Sequence, residues 1–149
     1  MRKIISFIVI TIILVSTIPY SFSQNSIVMS SVKKDISFST WHKFAESSSV
    51  VFYYQYVDCG PISFILLKVD NNNDGAVNVA WDYELVNNGK TIQIGPDDIH
   101  VSLNINSKQS LYGECDYAKN KSLRVFVSEP NQPRLTAINI LNVKVSSTK

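Results

Sequence analysis

The sequence is poor in the residues that redox centres and zinc sites are made of: it holds two cysteines and two histidines in 149 residues. The cysteines, Cys59 and Cys115, are far apart, so there is no close-spaced redox pair of the Cys-x-x-Cys kind. No His-Glu-x-x-His occurs, which removes the helical zinc motif of metalloproteases. No serine stands in Gly-x-Ser-x-Gly, the elbow that exposes a nucleophile in α/β-hydrolases. No stretch keeps a long helical period, and no segment repeats. Basic residues do not cluster: Lys119, Lys121 and Arg124 are the densest group and read as a solvated turn. Nucleic-acid binding needs Lys and Arg massed against phosphates, so a nucleic-acid partner is not expected.

What is present begins with a leader. Arg2 and Lys3 precede an apolar run from Ile4 to Ile18, Pro19 breaks it, and Ser21-Phe22-Ser23 follows. A basic start, an apolar core and small residues before the cut make a secretory signal peptide, residues 1–23, cleaved after Ser23. The run is shorter than the roughly 20 residues a membrane span needs, so no stable span is expected after cleavage. The 14 Lys and Arg less Arg2 and Lys3 leave 12, against 12 Asp and Glu, so the exported chain is formally neutral. The expected destination is secreted or periplasmic.

In an exported chain an even cysteine count indicates disulfides, and two cysteines allow one pairing, Cys59 with Cys115. Closing a loop of that length restricts the unfolded chain by about 4 kcal/mol at most.

Residues 24–49 are rich in serine and read as an N-terminal arm or edge strand, with Trp41 and Phe44 tying its end to the core. From Val50 the period is two. "VVFYYQYVD" and "ISFILLKV" are apolar on both faces, as in buried central strands. "AVNVAWDYELV" sets Val77, Val79, Trp81, Tyr83 and Leu85 against Asn78, Ala80, Asp82 and Glu84, a half-buried strand. "DIHVSLNI" alternates likewise, with His100, Ser102 and Asn104 on the polar face. "KTIQI", "SLYGEC", "SLRVFVSE" and "RLTAINILNVKV" supply further strands. Gly60-Pro61 and Asn87-Asn88-Gly89-Lys90 are turns, the latter a strong hairpin signal. The fold expected is all-β: one antiparallel β-sandwich domain over residues 50–149, with about 7–9 strands. A closed barrel is the alternative.

Two cysteines with Trp81 between them give the chain a broad resemblance to immunoglobulin-like sandwiches. The details depart from that family. Trp81 comes one strand late after Cys59, and Tyr112 precedes Cys115 by three residues, not two. The resemblance covers architecture only.

"DNNNDGAVNVAW", from Asp70, is the nearest approach to a site motif. As a calcium loop it offers Asp70, Asn72, Asp74 and Asn78 as ligands, with Gly75 at the sharp turn. Its twelfth position is Trp81, which has no oxygen, and Asp82 comes one residue late, on the other face of a strand. A plain hairpin loop accounts for the same residues, because Asn, Asp and Gly suit turns.

Paired carboxylates at Asp97-Asp98 and at Asp82 and Glu84, together with His42 and His100, are the remaining candidates for acid–base chemistry. None comes with a cleft or a nucleophile in the sequence, so no catalytic residue and no cofactor is assigned, and calcium is the only metal considered. Asn120-Lys121-Ser122 is an N-glycosylation acceptor in a eukaryotic pathway. The functional expectation is an exported binding or interaction module for a protein or glycan, not an enzyme. Its alternatives are a small secreted hydrolase, which needs His42 or His100 beside an acid or serine, and a calcium-dependent surface module using residues 70–78.

Overall fold

The structure is a computed structural model and describes residues 25–29, 40–95, 99–128 and 135–148. The leader, its cut after Ser23, and Asp97-Asp98 lie outside the described residues.

Among the described residues, ten strands make two five-stranded antiparallel sheets, and the fold is an all-β sandwich. In the first sheet β1 (Asn25–Val28), β10 (Ala137–Ser147) and β5 (Val77–Asn87) are neighbours, and β5 then pairs along its length with β7 (His100–Ile105) and β6 (Lys90–Thr91). In the second, β2 (His42–Ser47), β3 (Val50–Cys59) and β4 (Ile62–Asn71) are neighbours, and β4 pairs with β8 (Ser110–Tyr112) and β9 (Arg124–Ser128). The count exceeds seven to nine because residues 24–49 supply two strands, β1 and β2, where one edge strand is expected. Residues 24–49 supply an edge strand to each sheet, and Ile27 of β1 is buried in the core.

Alternation decides which side chains meet between the sheets. Val77, Val79, Trp81 and Tyr83 of β5 face Val50, Phe52, Ile65, Leu67 and Val69 of β3 and β4 in one inter-sheet core. Trp81 is fully buried and meets Phe52 edge-on, ring centres 5.6 Å apart, the geometry that the aromatic quadrupole favours. Tyr83 reaches the end of this core, where its hydroxyl donates to Ser122 O at 3.1 Å. Burial pushes its phenol pKa up, with a smaller opposite pull from the Trp81 indole.

Turn chemistry follows the backbone twist. Asn88 and Gly89 both take positive φ and close the β5–β6 hairpin, as a type I′ turn demands. Gly60 takes φ of 72° between β3 and β4. The β2–β3 hairpin turns at Ser48 and Ser49, with φ of 48° and 60°. Left-handed backbone at two non-glycine residues is costly.

One expected hairpin does not exist. β4 belongs to the second sheet and β5 to the first, so the loop between them passes from one layer to the other. Gly75 is not among the residues with positive φ. Both strands already have neighbours on each side in different sheets, so the loop has no pairing to close.

The strained serine turn makes a prediction. Ser49→Gly relieves a left-handed Cβ and is expected to raise unfolding free energy by about 0.5–1 kcal/mol, read as a higher urea midpoint at unchanged m-value. Trp81→Ala is expected to cost about 3–5 kcal/mol in the same assay.

Candidate functional site

The disulfide is formed, Cys59 to Cys115, with Cα atoms 5.3 Å apart. It does not cross between the sheets. Cys59 ends β3 and Cys115 follows β8, and both pack with Val57, Phe64, Leu66 and Phe126 in a second cluster on the outer face of the second sheet. Trp81 packs instead in the inter-sheet core, in a different cluster from the disulfide. The immunoglobulin-like detail of a Trp against an inter-sheet bridge is absent from these residues.

The second sheet is thus apolar on both faces, and residues 113–123 cover part of the outer one. Arg124 holds this segment from below. Its guanidinium donates to Glu114 O at 3.3 Å, Asp116 O at 2.7 Å and Tyr117 O at 3.0 Å. It also stacks on the Tyr117 ring at 4.9 Å, a planar cation on an aromatic face. Gly113 is needed because a Cβ there would collide with the Leu123 carbonyl. Asn120, exposed and left-handed, donates to Tyr112 O at 2.8 Å. The carboxamide that a glycan would modify is therefore engaged in holding the loop.

Beside this strap lies a groove of about 600 Å³. Its walls are Trp41, reaching across from the start of β2, and Tyr112 of β8, with ring centres 6.4 Å apart. Gln55 and Leu66 form the floor, and Lys68 and Glu114 add one charge of each sign. Tyr112 is 45% exposed and Tyr117 57%, the most exposed large hydrophobic rings among the described residues. From the sequence, Phe52, Tyr54 and Tyr56 face inward and Tyr53 faces outward, and the structure agrees: Phe52, Tyr54 and Tyr56 join the inter-sheet core, and Tyr53 lies under Lys68. The groove aromatics, Trp41 and Tyr112, escape that reasoning because they come from two segments far apart in the chain. The signal pointing to Tyr112 is Cys115, whose bond to Cys59 ties that segment to the end of β3.

The residues considered as calcium ligands are not brought together. Asp70 pairs with Lys68 at 3.1 Å on the outer face of β4. Asp74 faces Lys108 at 2.8 Å, which holds its carboxyl below the usual carboxylate range. Asn72 accepts Lys108 through its carbonyl at 2.8 Å. Asn78 lies on β5, bonded to Ser102 and Asn104 at 3.0 Å each. Among the described residues no three His, Cys, Asp or Glu side chains converge as a metal cluster.

The loop is organised by Asn71, which is 1% exposed. Its amide nitrogen donates to Gly75 O at 2.9 Å, Asn106 O at 3.0 Å and Ile105 O at 3.2 Å. Its oxygen accepts from the Asn73 backbone at 2.9 Å and side chain at 3.0 Å. Asn73 in turn donates to Ser48 O at 2.9 Å, and Asn72 N to Ser49 O at 2.9 Å. Three connections at one end of the sandwich are thereby locked together.

Of the acid–base candidates, Asp82, Glu84 and His100 lie on the outer face of the first sheet, and His42 begins β2 of the second. His100 Nδ1 is 2.8 Å from Asp82 Oδ1, and Asn142 donates to Asp82 Oδ2 at 2.7 Å. The Asn142 bond first, and then His100, lowers the Asp82 pKa. Glu84 accepts from Thr91 at 3.0 Å and from Asn139. His42 stacks on Tyr54, ring centres 5.4 Å apart. Among the described residues no hydroxyl bonds the second nitrogen of His100.

No family model matches the chain, and no curated protein sequence matches it. Among solved structures it is similar to the Salmonella enterica trimeric lipoprotein SadB, at 13% identity and a TM-score of 0.37. The match covers 83% of this chain and 62% of that one. A likeness of that size carries nothing about function.

Three expectations follow. Asn71→Ala strands buried carbonyls and is expected to lower stability by about 2–3 kcal/mol in urea unfolding. Melts in millimolar calcium and in chelator are expected to coincide, since Lys68 and Lys108 already neutralise Asp70 and Asp74; an upward shift lost in Asp74→Ala would put a cation there. Because the folded-state pKa of Asp82 is lowered, its contribution is full above about pH 4 and is lost as pH falls through the folded value. Asp82→Asn should flatten that acid limb of Tm against pH, by a small amount because solvent screens the site.

Proposed function

We propose that this protein is an exported binding module, and that its ligand site is the groove between Trp41 and Tyr112. The observation that carries the reading is the pairing of two partly exposed rings with Gln55, Lys68 and Glu114 around one concavity beside the disulfide. Binding sites are concave, mostly apolar, and carry a few placed polar groups. The ligand chemistry that matches is a saccharide. Its C–H faces pack on Trp41 and Tyr112, and its hydroxyls meet the ammonium of Lys68 and the carboxylate of Glu114. Export rests on the leader pattern, and a bond such as Cys59–Cys115 belongs to an oxidising compartment. Among the described residues no helix is long and apolar enough to cross a membrane.

A small hydrolase is the second reading, and the Asp82–His100 contact at 2.8 Å is the observation behind it. A carboxylate on Nδ1 orients a histidine as in serine hydrolases. The pair sits on an exposed strand face, where His100 is 60% exposed, a poor place to exclude water from a reaction. The binding reading is therefore the stronger.

The two tryptophans separate core from groove, which makes the test direct. In Trp81→Phe, Trp41 is the sole indole, and its emission reports on the groove. Titration with sugars selected on a glycan array is expected to shift that emission. Tyr112→Ala should weaken the binding at least tenfold while leaving Tm within about 2 °C, as for a surface change. Array-positive sugars that bind Tyr112→Ala undiminished would remove the groove as the site. Ester hydrolysis by the wild type that is lost in His100→Ala would favour the hydrolase.

A further inference from the structure

Among the described residues, strand β7 is an edge that nothing guards. Sheet edges usually carry a device that blocks pairing with another chain: charge, a bulge, proline, shortness or a cover. The other described edges each have one. β2 has a register shift between Lys43 and Ala45, and carries the Lys43–Glu46 ion pair. β9 is covered where Leu135 N donates to Val127 O. β1, β6 and β8 have four, two and three residues. β7 has six residues, pairs with β5 in unbroken register, and contains no Lys, Arg, Asp, Glu or Pro. Among the described residues, β5 is its only strand neighbour.

We infer that β7 pairs antiparallel with β7 of a second copy, joining two first sheets into one continuous sheet about a two-fold axis at Ser102. The strand is complementary to itself in that register. Ser102 faces the partner's Ser102, His100 faces the partner's Asn104, and Val101 faces the partner's Leu103. Opposed residues in an antiparallel pair share a face. The exposed row His100, Ser102, Asn104 thus meets its own polar chemistry, and the inward row meets apolar side chains. A shift of one residue would set Val101 against the polar row, and a shift of two would leave part of the six-residue strand unpaired. No like charges meet at neutral pH. Leu103 packs on the core yet is half-exposed, and the second strand would complete its cover. A two-fold contact of this isologous kind is the commonest route to a dimer. The inference is independent of the groove, which lies on the other sheet.

The test uses charge at the axis. Ser102 is exposed, so a charged residue there is tolerated in one copy, but two would face each other across the axis. By sedimentation of the oxidised protein from low micromolar to submillimolar concentration, wild type is expected to pass from monomer to dimer. Ser102→Asp and Ser102→Lys should each stay monomeric with near-wild-type melts. An equal mixture of the two should dimerise again, because opposite charges then meet. A wild type that remains monomeric throughout overturns the inference. So does a Ser102→Asp protein that dimerises as well as wild type, or a mixture that fails to recover association.

Discussion

The outer face of the second sheet cannot be left to water. Val57, Phe64 and Leu66 project from β3 and β4 on the side away from the inter-sheet core, and uncovered apolar surface of this kind is unfavourable at about 25 cal/mol per Å². The chain answers with one strap, residues 113–123, fixed by the Cys59–Cys115 bond at one point and by the Arg124 guanidinium under the carbonyls of Glu114, Asp116 and Tyr117. Much else follows from that cover. It fixes Tyr112 opposite Trp41, aligns Tyr117 over Arg124, and leaves a groove where the strap ends. The disulfide here closes a lid on a sheet face and does not rivet one sheet to the other.

The far end of the sandwich is held by polar groups. Asn71 replaces the missing hairpin pairing with five side-chain hydrogen bonds to Gly75, Ile105, Asn106 and Asn73. A loop that passes between layers has no partner strand for its backbone, so its carbonyls need donors from elsewhere. The amides of Asn71 and Asn73 supply them locally. This accounts for the composition that makes residues 70–78 resemble a cation loop: the Asn71 and Asn73 amides serve the backbone, and the Asp70 and Asp74 carboxylates face lysines. The left-handed Ser48-Ser49 turn belongs to the same lock, since both of its carbonyls accept from Asn72 or Asn73.

Much of the strand layout was legible because alternation is a local property. The inward faces of β5, β7 and β9 and the two-sided burial of β4 match the sequence pattern residue by residue. The Asn88-Gly89 turn was legible for the same reason, since positive φ is a demand made on two adjacent residues. The loop after β4 was misread because layer membership is not local. Whether two successive strands pair or part depends on which neighbours they find, and in this chain β4 finds β8 and β9 while β5 finds β10 and β7. The Asp82–His100 contact was half legible: both residues were placed on polar strand faces, and only the β5–β7 register put them opposite one another.

The sequence by itself determined the fold class, the single possible cysteine pairing, and which side of each long strand meets the core, because these rest on composition, count and a two-residue period. The tertiary structure decided which sheet the disulfide serves, which aromatic rings share a groove, and which edge remains open. Those depend on contacts between segments far apart in the chain, and a pattern that repeats every two residues contains no record of which distant strand will be its neighbour.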